Sequence, residues 1–193
     1  MNNNISSVSF GANFLKNTAV RRLVPETDNY EKFKASFVRI NPKKLSDVEA
    51  LESVAKDWRN EKFAGSISAS ARGIRVANGE GGKKIFAVTV QNSDYKKLNA
   101  DKILGLVEVK EITAKDVYLS HIQVNPIYIH KKGSEYKRVG TAMLNRLKDM
   151  YCRIILNSLS DVSVQKFYER NGFRKVSDSD LKYCWENNKI FMV

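Results

Sequence analysis

The chain lacks most of the features that fix a function at a glance. It has 2 cysteines in 193 residues. Cys152 and Cys184 show neither metal-ligand spacing nor a disulfide framework, so both read as reduced thiols and no metal is expected. No apolar run approaches the ~20 residues that a membrane span needs, so no membrane partner is expected. The opening MNNNISSVSFGANFLKN has no charged stretch leading into an apolar core, as a secretory signal would. Asn2 stands where N-myristoylation requires glycine. A cytoplasmic location is the expectation. Both the G-x-x-x-x-G-K-[ST] loop of nucleotidases and the G-x-G-x-x-G dinucleotide fingerprint are missing.

What is present is ordinary in bulk and unusual in charge. Hydrophobic residues make up 42% and charged residues 28%, as in a globular domain with one substantial core. The net charge is +12 and the pI about 9.7. The cations are interleaved with acids, as in EKFKASFVR and ERNGFRK, rather than gathered in a tail. A solvated basic surface, a polyanionic ligand and nucleic acid are all compatible with that charge.

The order of elements comes from periodicity. Residues 1 to 30 show little of it and read as an extension, mobile at its beginning. Lys32 to Ile40 alternates as a first strand and ends at Asn41-Pro42, a turn signal. Ser46 and Glu49 have capping-box spacing, and Val48, Leu51, Ala55 and Trp58 make one apolar stripe, so Asp47 to Arg59 is expected to be a helix. Lys62 to Ala77, rich in small residues, suits either a second helix or a loop. Lys84 to Gln91, Ile103 to Glu111 and Val117 to Val124 follow as strands with short polar connections, as in successive hairpins. A helix, a strand (Arg153 to Leu159), a helix and a last strand pair around Lys175 and Leu181 to Glu186 complete the chain. Such an order indicates an α+β fold, a central mixed and mostly antiparallel sheet flanked by helices.

The chain is organised around Val124 to Leu144, VNPIYIHKKGSEYKRVGTAML. Pro126 stops the strand before it. After the loop, Val139, Met143, Leu147 and Met150 recur at helical spacing. A helix that starts abruptly points its free N–H groups and the positive end of its dipole forward. Gly140 permits close approach, and Lys137 and Arg138 add charge, which together describe an anion site suited to phosphate.

This stretch resembles the acetyl-CoA loop of the GNAT superfamily of N-acetyltransferases, V-x-P, then [RQ]-G-x-G-[IV]-G and an apolar helix. Val124, Pro126, Val139 and Gly140 match. Glu135, Tyr136 and Arg138 depart from the pattern, and the loop after Pro126 is longer. A second stretch, Asp161 to Phe173, resembles the family's [FL]-Y-x-x-x-G-F through Phe167, Tyr168, Gly172 and Phe173. The resemblance covers roughly Phe33 to Glu186, which makes residues 31 to 193 a GNAT-like domain.

The resemblance implies acetyl-CoA as cosubstrate. Its pantetheine arm would lie along Ile122, Gln123 and Val124, and its pyrophosphate on the N–H groups of Tyr136, Lys137, Arg138, Val139, Gly140 and Thr141. A left-handed backbone at Arg138 would be strained. Tyr168 matches the family's general acid, a phenol that keeps its proton at neutral pH; core packing is the competing role. No general base is legible. Alternation puts Tyr118, Ser120, Ile122 and Val124 on one face, with His121 turned away as a structural residue. Glu108 is the best remaining carboxylate. The implied function is acetyl transfer to a primary amine of a small molecule, peptide or protein, with CoA and an unidentified acceptor as partners. The alternative is a non-catalytic nucleic-acid-binding or regulatory module on a degenerate GNAT fold. Tyr168 in place beside Gly172-Phe173, and no RNA-recognition motif, weigh against nucleic acid.

Overall fold

A computed structural model describes residues 11–59, 62–91, 97–129 and 133–187. Nine strands form one sheet: β1 (Asn13–Val24), β2 (Asn29–Arg39), β3 (Lys83–Thr89), β4 (Ile103–Glu111), β5 (Asp116–Val124), β6 (Tyr136–Lys137), β7 (Arg153–Asn157), β8 (Arg174–Ser177) and β9 (Lys182–Glu186). Their order across the sheet is β6-β1-β2-β3-β4-β5-β7-β9-β8. Every neighbouring pair is antiparallel except β5–β7, which is parallel. The helices are α1 (Leu45–Asp57), α2 (Lys62–Ala77), α3 (Val139–Met150) and α4 (Val162–Arg170).

Two apolar layers hold this arrangement, one on each face of the sheet. Val48, Leu51, Val54 and Ala55 of α1 and Ala64, Ile67, Ala71 and Ile74 of α2 pack with Val38, Ile85, Ala87 and Leu106. On the opposite face Val139, Met143, Leu144 and Leu147 of α3 pack with Phe37, Phe86, Val107 and Val109, joined by Tyr168 from α4. Alternation along β2, β3 and β4 distributes side chains to the two layers. Gly105 lets α3 come close: a Cβ there would lie 2.7 Å from Met143 Cε and 2.9 Å from Val139 Cγ1.

Two local expectations are corrected, and a third, left open between helix and loop, is decided. First, strand structure begins at Asn13, not Lys32, so part of the expected extension is sheet. Only Thr18 and Val20 of β1 are buried, which leaves almost no alternation for a sequence pattern to show. The segment expected to be mobile, at the start of the chain, lies outside the described residues. Second, α1 carries no capping box. Its N-cap is Lys44, which makes no side-chain cap. Asp47, fully buried, instead accepts the Asn41 N–H at 2.9 Å and ties the preceding loop to the helix. Burial raises the Asp47 carboxyl above its usual range, opposed by backbone N–H groups of Asn41 and Ala12. Third, Lys62 to Ala77 is wholly helical.

Candidate active site

The opening in the sheet is made by β5. Asp116, Val117 and Tyr118 pair with Arg153, Ile154 and Ile155 of β7, and the pairing stops there. Beyond Tyr118, β5 stays with β4 but has no β7 partner. The two parallel strands diverge into a cleft of ≈ 540 Å³. Its walls include Leu119 to Ile122 and Val124 of β5, the segment Tyr136–Thr141, Asn157, and Val164, Phe167 and Tyr168 of α4.

At the head of the cleft sits the start of α3. Ala142 N makes the first intrahelical bond, to Arg138 O at 2.9 Å, so the N–H groups of Val139, Gly140 and Thr141 precede the helical ladder. Arg138 is the N-cap, with φ 61° and ψ 21°. A left-handed arginine is disfavoured by roughly 1–2 kcal/mol, so this turn is held by its surroundings. The preceding two-residue strand β6 supplies that hold by pairing with Arg21 and Arg22 of β1. Arg22 further pairs with Glu135 at 3.3 Å and lies over the Tyr136 ring. Glu135 and Tyr136, two of the three departures from the GNAT pattern, thus fasten the loop to the N-terminal hairpin.

Gly140 has a packing role beside the one its motif suggests. Its Cβ direction points at Phe167, whose Cζ would be 2.9 Å away, with Val124 Cγ2 at 3.6 Å. The strand end, the loop and the later helix therefore meet at one point, and glycine lets them close.

The second motif is a helix stop. Gly172 has φ +77°. Its N–H bonds to Glu169 O at 2.8 Å, and Phe173 N bonds to Tyr168 O at 3.1 Å, a Schellman termination. The apolar contact that accompanies such a stop is Tyr168 against Phe173, ring centroids 5.7 Å apart. Spacing in Y-x-x-x-G-F thereby fixes the tyrosine against the cleft wall. Tyr168 is 5% exposed, so packing and cleft lining coexist. Burial, and then the charge of Tyr118, push its phenol up to about 12.

The expected phosphate-side residues, Tyr136, Lys137, Arg138, Val139, Gly140 and Thr141, all line the cleft, as do Ile122 and Val124. Gln123 does not: its Oε1 accepts the Ala64 N–H of α2 at 2.8 Å on the other face. The expected common face of Tyr118, Ser120, Ile122 and Val124 is also broken. A bulge places Ser120 between the pairs Val109↔Leu119 and Glu108↔His121, which shifts the alternation by one residue. His121 stays on the face opposite Ile122 and Val124, where the bulge sets it across from Glu108, and it reaches the cleft rim against Phe63 of α2 at 5.6 Å between ring centroids. The bulge depends on cross-strand pairing and leaves no mark in a single strand's sequence.

Glu108 lies behind His121 and is not part of the cleft lining. It is 1% exposed, with Oε1 3.6 Å from His121 Nδ1 and 3.7 Å from Lys83 Nζ. Lys83 also donates to Ser70 Oγ of α2 at 3.0 Å. Burial pushes the Glu108 carboxyl up, but contacts with His121 and Ser70 and the charge of Lys83 outweigh it, so its pKa is lowered and it stays ionised. Glu108 Oε2 is buried and has no protein hydrogen-bond partner. Neither Lys83 nor Ser70 carried a signal in the sequence; three separate elements bring them together.

No protein-family model matches the sequence, and a search of curated proteins finds no match. Solved structures do match. An N-acetyltransferase from Campylobacter jejuni, PseH, in complex with acetyl coenzyme A is 19% identical; the match covers 79% of this chain and 99% of that one, TM-score 0.52. A Desulfovibrio desulfuricans protein assigned to the GNAT family of acetyltransferases is 15% identical over 79% of this chain and 98% of that one, TM-score 0.56. The chain has the GNAT fold. A Salmonella typhimurium acetyltransferase that modifies the N-terminal serine of ribosomal protein L7/L12 shares the fold at 10% identity, covering 80% and 95% of the two chains, TM-score 0.51.

Proposed function

We propose that this GNAT-fold chain is an acetyl-CoA-dependent N-acetyltransferase acting on a primary amine. The observation that carries the reading is the cleft itself: an unpaired strand edge, leading helix N–H groups and a tyrosine face one space. The residues fit CoA. The N–H groups of Val139, Gly140 and Thr141, with Lys137 and Arg138 beside them, suit a pyrophosphate. The β5 edge beyond Tyr118 offers main-chain groups to an amide-bearing arm.

Bound acetyl-CoA would supply an acetyl thioester. The chain's own residues manage protons around it. An amine must be neutral to attack, and His121 is the base at the rim, through Nε2, because Nδ1 faces Glu108. Glu108 holds the imidazole in place and stabilises its protonated form, as an ionised carboxylate behind a histidine does. Tyr168, still protonated at neutral pH, donates to the departing sulfur. In this assignment Glu108 positions the base and does not itself take the substrate's proton.

Calorimetric titration with acetyl-CoA tests the reading. Wild type binds, and Arg138→Glu weakens binding by about tenfold or more, since it reverses a charge beside the phosphates. Tyr168→Phe keeps binding and loses turnover. No binding of acetyl-CoA to the wild type overturns the assignment.

A further inference from the structure

The N-terminal hairpin presents a charge pattern of which the transfer reading uses only Lys137, at the edge of the cleft. In the antiparallel register Lys137 of β6 stands directly opposite Arg21 of β1, and Arg21 directly opposite Lys32 of β2. Lys34 follows two residues on, on the same face, opposite Ala19. With strands ~4.8 Å apart and a rise of ~3.4 Å per residue, these cations occupy a patch on the order of 10 by 7 Å. All are exposed.

Like charges directly opposite one another destabilise a sheet. Among the described residues none of these cations forms an ion pair. The acids of the hairpin strands lie elsewhere: Glu31 is opposite Arg22 on the other face, and Glu135 pairs with Arg22 there. Glu26 and Asp28 belong to the turn beyond β1. The sheet thus carries an uncompensated repulsion confined to one face.

The patch is also held in shape. Lys137 Nζ sits 3.8 Å from the Tyr30 ring centroid, Tyr30 Oη donates to Ser134 O at 2.8 Å, and Arg21 Nη1 donates to Tyr30 O at 2.9 Å. Asn17 and Ala19, on the same face, are exposed, so no helix covers it. The β2–β3 register begins only at Ser36↔Thr89, so the hairpin end stands clear of β3.

We propose that this face docks the phosphate backbone of a nucleic acid. Its positive charge is dense, and the Leu23 and Tyr30 side chains that share the face are half-buried at its end, which suits a partner recognised mainly by charge. A peptide partner would call for an apolar pocket, and binding to phosphatidylserine vesicles as tight as to RNA would assign the patch to an anionic membrane surface instead. The chain's net charge of +12 has the matching sign. Arg21, Lys32 and Lys34 lie outside the cleft lining, and Lys137 is shared with it.

Anisotropy of a labelled single-stranded RNA across a potassium chloride series tests it. Engagement of these cations gives a slope of log K against log salt of about −2.8, at roughly 0.7 per phosphate neutralised. Lys32→Gln with Lys34→Gln removes two contacts and shortens the slope by about 1.4. The same double variant melts at an unchanged or higher temperature, because it relieves repulsion, and it binds acetyl-CoA as wild type does. No RNA binding at low salt overturns the proposal, as does a slope unchanged in the double variant. Reduced acetyl-CoA affinity in that variant would assign the patch to the phosphates of CoA instead. Polyglutamate competing as well as RNA, with the same salt slope, would assign it to acidic polypeptides.

Discussion

Two halves of β5 show how the fold makes its cleft. Asp116 to Tyr118 are sheet interior, bonded on both edges, with Asp116 further tied to Arg153 at 2.9 Å. Leu119 to Val124 keep one neighbour and turn the other edge to the cleft. The bulge at Ser120 sits where the halves join. The cleft is therefore a gap in pairing, and what it offers a ligand is largely main chain. Under the proposed reading, Tyr136 and Arg138 can stand where the resembled GNAT pattern has glycine, because a phosphate there would need N–H groups, which any residue but proline supplies.

The comparison is broken most strongly at His121, in the open half. His121→Gln is expected to lower kcat by about 10²- to 10⁴-fold, the usual contribution of a positioned base, with acetyl-CoA affinity unchanged. Glu108→Gln costs less in kcat. Thiol release with any amine that supports turnover reads both, and the reverse ranking would make Glu108 the base.

Titration sharpens the contrast between buried and open walls. Tyr136, Tyr151 and Tyr168 are all pushed up to about 12, mainly by burial. Above about pH 10 the unfolded phenols ionise while these stay protonated, so the folded state holds more protons. Stability falls as pH rises from about 10 to about 12, and phenolate absorbance of these residues appears with unfolding. Glu108 acts at the other end. Its lowered pKa adds stability that is complete above the usual carboxylate range and is lost as pH falls through the folded value. Melting temperatures across pH check both signs. The smallest effect belongs to the closed half: Asp116→Asn weakens a part-exposed ion pair, at about 0.2–1 kcal/mol, with kcat unchanged. A large loss of activity there would mean the halves are not independent.

Much of the architecture was legible because burial is two-sided or strictly periodic. The range Ile103 to Glu111 is met residue for residue, Val117 to Val124 misses only Asp116, and Pro126 ends that strand. Helices α3 and α4 follow their apolar stripes. β1 escaped because it is exposed on most positions, and β6 because two residues carry no pattern. Ser46 and Glu49 have the right spacing for a cap, yet the buried Asp47 draws the helix start to Lys44. In the site, motif residues were readable where one segment supplies them, as in Tyr168 to Phe173. His121 with Glu108, Lys83 and Ser70 was not, since it depends on a bulge and on four elements converging.

The strand β6 has a further consequence, in the order of folding. Tyr30 and Ser134, joined beside it, are 104 residues apart in the chain. The β1–β2 hairpin closes locally and early, but its outer edge waits for nearly the whole sheet and for α3's loop. Closing so long a loop costs little more than closing a shorter one, yet it delays the contact. β6 covers the outer edge of β1 only at Arg21 and Arg22; along the rest of that edge the exposed Lys16 discourages pairing with other chains. The Tyr136–Thr141 segment thus rests on contacts of high sequence separation, and a ligand bound there would protect it from opening.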